Sequence, residues 1–161
     1  MEMTNPEPRL EFKPDFAEAR RRWEAFWNHE ILRRPCCVIR APLYDDGPAA
    51  PWPPYMAGAR EDLHEVANQV LEAASCVWHG GEAIPSYTPS FGPDMFAAWL
   101  GADLRFPDHD FGTSWAEPCI DDWDAALPIR LREDGYWWQR MLEFCRVLAE
   151  TFRGKMLVAH L

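Results

Sequence analysis

Arg40 closes a short run, Cys36-Cys37-Val38-Ile39, in which every preceding side chain is apolar. A guanidinium at the end of such a strand presents a planar fork of donors, which grips a carboxylate through paired, charge-assisted hydrogen bonds. A structural ion pair is the competing role for this residue. A second concentration of polar groups lies at Ser86-Tyr87-Thr88-Pro89-Ser90-Phe91-Gly92, with Asp94 just beyond. Hydroxyls and rings in a loop that follows an apolar run suit a pocket wall, because α/β proteins bind ligands in the loops leaving the carboxyl ends of parallel strands. His160 ends the apolar run Met156-Leu157-Val158-Ala159 in the same manner. Arg40, Ser86, Tyr87, Asp94 and His160 are therefore the candidate substrate-binding set, and no residue is assigned a catalytic role.

Other clusters have plainer readings. Asp108-His109-Asp110 has the composition of a metal site, but three adjacent side chains on an extended turn do not converge on one ion. Asp121, Asp122 and Asp124 around Trp123 have the types of an acid and base pair, yet a loop anchored by its tryptophan is the simpler account. Arg20, Arg21 and Arg22, with Glu24, read as a solvated helix face. The five cysteines are odd in number and show neither Cys-x-x-Cys nor His-x-Cys spacing, so reduced thiols and no metal site within this chain are expected.

Composition sets outer bounds. A chain of 161 residues forms one domain, and with nine tryptophans it has the material for a sizeable core. A net charge of −10 with scattered arginines excludes a nucleic-acid surface, which needs clustered cations against phosphates. No apolar run is long enough for a membrane span, and the acidic, proline-broken start is unlike a secretory leader, so a cytoplasmic protein without membrane contact is expected.

The elements that would hold these residues follow from periodicity. Residues 1–13 are a polar lead-in. A helix opens at Pro14-Asp15, with Phe16, Ala19, Trp23, Phe26, Trp27 and Ile31 on its apolar stripe. The all-apolar residues 36–40 match a parallel strand buried on both faces. Four prolines break the long excursion 43–58, where Trp52 and Tyr55 imply packing against something. Helix 60–79 is followed by a strand at 83–87, a short helix opened by Pro93 and closed by Gly101, small strands at 103–106 and 113–117, helix 136–153 and an apolar strand at 156–160. This alternation predicts an α/β fold, the N-terminal portion of a (β/α)8 TIM barrel, with about three neighbouring parallel strands (36–40, 83–87 and 156–160) and the helices outside. On this reading the sheet is cut off midway, and the missing C-terminal half of the barrel is the partner that 14–161 requires.

Pro35-Cys-Cys-Val-Ile-Arg40 is similar to the first-strand motif of the uroporphyrinogen decarboxylases, in which a proline precedes an apolar strand ending in a substrate-binding arginine. Gly80-Gly-Glu-Ala-Ile and Ala98-Trp-Leu-Gly101 resemble that family's second strand and the end of the helix after it. With Trp115-Ala-Glu-Pro118 and Gly154-Lys-Met-Leu-Val, the pattern looks most like an uncharacterised bacterial branch of the superfamily that also holds the corrinoid and coenzyme M methyltransferases. The resemblance runs from Trp23 to the end. It implies a small anionic or thiol-bearing substrate, lyase or methyltransferase chemistry with corrinoid-linked methyl transfer in first place, and zinc or a corrinoid as cofactor of the full-length protein rather than of this chain. Where the decarboxylases carry a second arginine this chain has Tyr44, and their strand-end aspartate is replaced by the Ser86 to Gly92 loop with Asp94 nearby. Tetrapyrrole decarboxylation is therefore the alternative, together with a non-catalytic fragment that docks onto the rest of a barrel.

Overall fold

The computed structural model describes residues 9–43, 50–54, 56–107 and 113–159. The two longest amphipathic stretches form its centre. α3 (Leu63–Ser75) starts where the Asp62 carboxylate accepts the backbone N–H groups of His64 and Glu65, satisfying two donors that the first helical turn leaves free. Its inner face is Val66, Ala67, Val70 and Ala74, small side chains that let a partner helix approach closely. That partner is α6 (Tyr136–Thr151), which inserts Met141, Phe144, Val147 and Leu148. Phe144 lies parallel to Phe91, with ring centroids 6.4 Å apart, and meets Tyr87 edge-on at 6.2 Å.

Shorter elements surround this pair. α1 (Phe16–Trp27) buries Phe16 and Ala19, but its apolar stripe runs out into solvent, leaving Trp27 73 % exposed. The proline-rich excursion delivers α2 (Ala57–Arg60), buried through Ala57 to Ala59, and stacks Trp52 on Tyr87 with the rings 7° from parallel. α4 (Met95–Trp99) and α5 (Trp123–Ala126) are single-turn helices. From the segment expected to be a polar lead-in, Leu10 and Lys13 are buried, and the N–H groups of Glu11 and Phe12 donate to the carbonyls of Gly154 and Lys155.

The strands do not form a barrel portion. Among the described residues there are three separate two-stranded sheets. β1 (Val38–Pro42) pairs antiparallel with β2 (Val77–Gly81), β3 (Ser86–Tyr87) pairs parallel with β6 (Leu157–Val158), and β4 (Asp103–Arg105) pairs antiparallel with β5 (Trp115–Glu117). The expected row of three parallel strands is thus overturned: β3 and β6 keep a parallel pairing two residues long, while β1 belongs to another sheet and runs against its partner. The cause lies in residues 76–81. Val77 and Trp78 extend the apolar stripe of α3, yet the helix ends at Cys76, whose N–H closes back on the Ala73 carbonyl, and the next five residues find strand partners in β1. β1 is also not buried on both faces, since Val38 and Ile39 are about half exposed. A continuous apolar run has the same composition in either setting, so composition alone could not separate them.

Candidate anion-binding site

Arg40 stands on β1 directly across from His79 on β2. Side chains of directly opposed residues leave the same face of a ribbon, so the guanidinium and the imidazole are neighbours. Arg40 is exposed, and no carboxylate of the described residues lies within ion-pair distance of it. His79 is 8 % exposed, and neither ring nitrogen has a hydrogen-bond partner among the described residues. Burial lowers its pKa, and the positive charges of Arg40 and Lys13 lower it further. The imidazole is accordingly neutral at neutral pH and offers one N–H donor and one acceptor nitrogen.

Two buried charges fix the ribbon from behind. The Lys13 ammonium, 1 % exposed, donates to the carbonyls of His79 at 3.0 Å and Gly81 at 2.7 Å and pairs with Asp15 at 2.9 Å. The Glu82 carboxylate, 2 % exposed, takes both arms of Arg34 at 2.8 Å, the Cys37 N–H at 2.7 Å and Arg22 at 3.3 Å. The Arg34 hydrogen bonds hold its pKa below the usual glutamate range against the effect of burial, helped by the Cys37 amide and the charges of Arg34 and Arg22. The Trp23 indole N–H donates to the Glu82 carbonyl at 2.8 Å, tying α1 to the same corner. Gly81 sits at φ +59°, and a Cβ there would collide with the Cys37 carbonyl, so this turn admits no other residue without moving β1.

The other expected site residues lie elsewhere. Ser86 and Tyr87 are together on β3, packed beside β6 rather than on the ribbon that carries Arg40. The Ser86 hydroxyl donates to the Ile84 carbonyl at 3.4 Å. Tyr87 is enclosed by Trp52, Phe144 and Phe152, its hydroxyl has no partner among the described residues, and burial raises its pKa. The Asp94 carboxylate accepts the Ala116 N–H at 3.0 Å and so joins α4 to β5. His160, Tyr44 and the cluster at 108–110 lie outside the described residues.

Sequence reasoning missed Lys13, Arg22, Arg34, His79 and Glu82. Arg22 is not on a solvated face: only 12 % of its side chain is exposed, and it bridges Glu18 and Glu82. Val77-Trp78-His79-Gly80-Gly81 has no alternation of apolar and polar residues, and Val77 and Trp78 continue the helical stripe before it, so the chain alone gives no strand signal there. Of the acids at 121–124, Asp122 caps α5 by accepting from the Asp124 and Ala125 N–H groups, which is a structural use. All five cysteines are free thiols, and burial raises the pKa of Cys145. Among the described residues no three His, Cys, Asp or Glu side chains are grouped to hold a metal ion, and no helix is long and apolar enough to cross a membrane.

The ribbon is thus a corner in which the buried acid, Glu82, is saturated by Arg34, Arg22 and the Cys37 amide, while Arg40 forms no ion pair among the described residues. No protein-family model matches the chain, and neither does a characterised protein or a solved structure.

Proposed function

We propose that this chain binds a small anionic molecule, a carboxylate or a thiolate, at the β1–β2 ribbon, with Arg40 as the anchoring cation and neutral His79 as its hydrogen-bonding neighbour. The observation that carries this reading is the placement of an exposed guanidinium directly opposite a buried imidazole whose two nitrogens have no partner among the described residues. The guanidinium supplies charge and a bidentate fork, and the imidazole N–H completes the hydrogen bonding of the bound group. With a thiol ligand, the acceptor nitrogen of His79 takes the S–H proton while Arg40 stabilises the thiolate.

The resemblance to the uroporphyrinogen decarboxylase and corrinoid methyltransferase superfamily extends the proposal to an enzyme in which methyl transfer involving a thiol is the chemistry. A zinc or corrinoid, if one binds, would supply the methyl-carrying or thiol-activating step. Decarboxylation of a tetrapyrrole acid has less support, because Asp94, the first acid after the expected strand end, accepts the Ala116 amide N–H.

Calorimetric titration with 2-mercaptoethanesulfonate and with succinate tests the reading. Arg40→Ala should weaken binding by about 1.5–3 kcal/mol, the worth of a charge-assisted hydrogen-bonded contact. The His79 imidazole, followed by NMR, should rise in pKa when the anion is present. An unchanged affinity in Arg40→Ala would return Arg40 to a structural role and leave docking as the remaining function.

A further inference from the structure

A separate cleft of about 730 Å³ opens at the carboxyl end of α4, and it shares no lining residue with the β1–β2 ribbon. Leu100, Ile120, Trp123 and Leu131 give it apolar walls, and Arg130 and Arg132 add two cations. Its volume falls within the range of small-molecule sites. Trp123 leaves 61 % of its surface in water, although indole is among the side chains that gain most from burial. It stays presented because α5 is held by Asp122, whose carboxylate takes the N–H groups of Asp124 and Ala125 at 2.9 and 3.4 Å.

Arg132 is fixed just as firmly. Its N–H donates to the Trp99 carbonyl at 2.9 Å, and its own carbonyl accepts the Gly135 N–H at 2.9 Å. Its side chain crosses Gly101 so closely that a Cβ there would lie 2.6 Å from Nε, and Gly101 is at φ +112°, a conformation other residues avoid. Within the described residues neither Arg130 nor Arg132 forms an ion pair, even though Asp134 lines the same cleft. Two arginines against the single acid of the lining, Asp134, leave the cleft wall net cationic beside an aromatic ring, which is complementary to a ligand that is both aromatic and anionic.

We infer that this cleft is a second ligand site, specific for a small aromatic carboxylate whose ring lies against Trp123 and whose carboxylate is held by Arg132 with Arg130 behind it. The inference does not depend on the ribbon site. Cys119, an exposed free thiol in the cleft wall, provides an internal reporter.

The probe is 2-naphthoate, compared with the uncharged 2-naphthalenemethanol, titrated calorimetrically into the full chain, with Cys119 alkylation followed by peptide mass spectrometry. Saturable naphthoate binding is expected, at least tenfold tighter than that of the alcohol, slowing alkylation of Cys119 and leaving Cys37 unaffected. Arg132→Gln should weaken naphthoate at least tenfold and Trp123→Ala about fivefold or more, whereas Arg40→Ala should leave Cys119 protection intact. Absence of saturable binding, equal affinity for the alcohol, or saturation without protection of Cys119 would overturn the inference. Should either variant fail to fold, the charge dependence and thiol protection in the wild-type chain decide the matter alone.

Discussion

Replacing Glu82 by alanine removes the acceptor that joins α1, the segment before β1, and β2. Four donor contacts end on this one carboxylate: two from Arg34, one from the Cys37 amide and one from Arg22. Their losses are unequal. Arg34 is 44 % exposed and turns to water, so its contribution is small. Arg22, with 12 % exposure, keeps Glu18 at 2.7 Å and the Leu32 carbonyl at 2.7 Å, so it loses only part of its pairing. The Cys37 N–H belongs to an exposed residue and turns in part to water, so losing its acceptor costs about 0.5–1.5 kcal/mol, the worth of an ordinary hydrogen bond. With partial loss at Arg22, the whole change comes to about 1–3 kcal/mol, below the full range for breaking a buried pair because one partner is half in water. In a domain of this size that lowers Tm by roughly 2–12 °C.

The assay is thermal unfolding by circular dichroism of wild type, Glu82→Ala, Glu82→Gln, Arg34→Gln and the Glu82→Ala/Arg34→Gln double variant. Glu82→Gln keeps an acceptor for Cys37 and should fall between wild type and alanine. Coupling between positions 82 and 34 should be clear but smaller than the single Glu82→Ala loss. Because the folded pKa of Glu82 is depressed, its contribution is complete above the ordinary glutamate value of about 4.3 and is lost as pH drops through the lower folded value. The Tm difference between wild type and Glu82→Gln should therefore shrink in acid. A Glu82→Ala protein melting within a degree of wild type at pH 7 would refute the view that this carboxylate organises the corner.

The folded pKa of His79 is also depressed, so the unfolded chain binds its proton first and wild-type stability should begin to decline as pH falls below about 6.5; urea midpoints of wild type and His79→Phe across pH 5–8 should show this decline only in wild type. Phe144→Ala, at the fully buried meeting point of Tyr87, Phe91 and α3, should cost about 3–5 kcal/mol, read as a lower urea midpoint with an unchanged slope.

The helices were legible and the strand partners were not, for a reason visible in single residues. Asp62 before an apolar repeat and Gly135 before Tyr136 mark the starts of α3 and α6 locally, and each helix satisfies its interior hydrogen bonds within itself. Residues 77–81 have no such self-sufficiency. Whether they extend a helix or form a strand is decided by β1, some forty residues earlier, and nothing in their own sequence names that partner. The site divides in the same way. Arg40 is conspicuous because a charge at the end of an apolar run is unusual, whereas Lys13 and Glu82 are conspicuous only when folded: Lys13 reaches carbonyls on β2 and Glu82 reaches Arg34, contacts set by tertiary structure. Trp52 lies between these cases. An aromatic in a proline-broken excursion implied packing, and its stacking on Tyr87 supplies the surface that the chain alone left unnamed.

On the proposed reading, the electrostatics of the ribbon favour an anion over a cation or a neutral ligand. The buried acid of the corner, Glu82, already accepts from three residues and has little field left to offer. Lys13 and Arg40 both act on His79 in the same direction, against protonation. An anion bound at Arg40 would offset both, so it would raise the His79 pKa, and by linkage its own affinity must rise as the imidazole gains a proton. The coupling has one sign only: binding tightens as pH falls through the His79 transition, provided the ligand remains ionised. A neutral ligand would titrate without this dependence, and a cation would show the reverse.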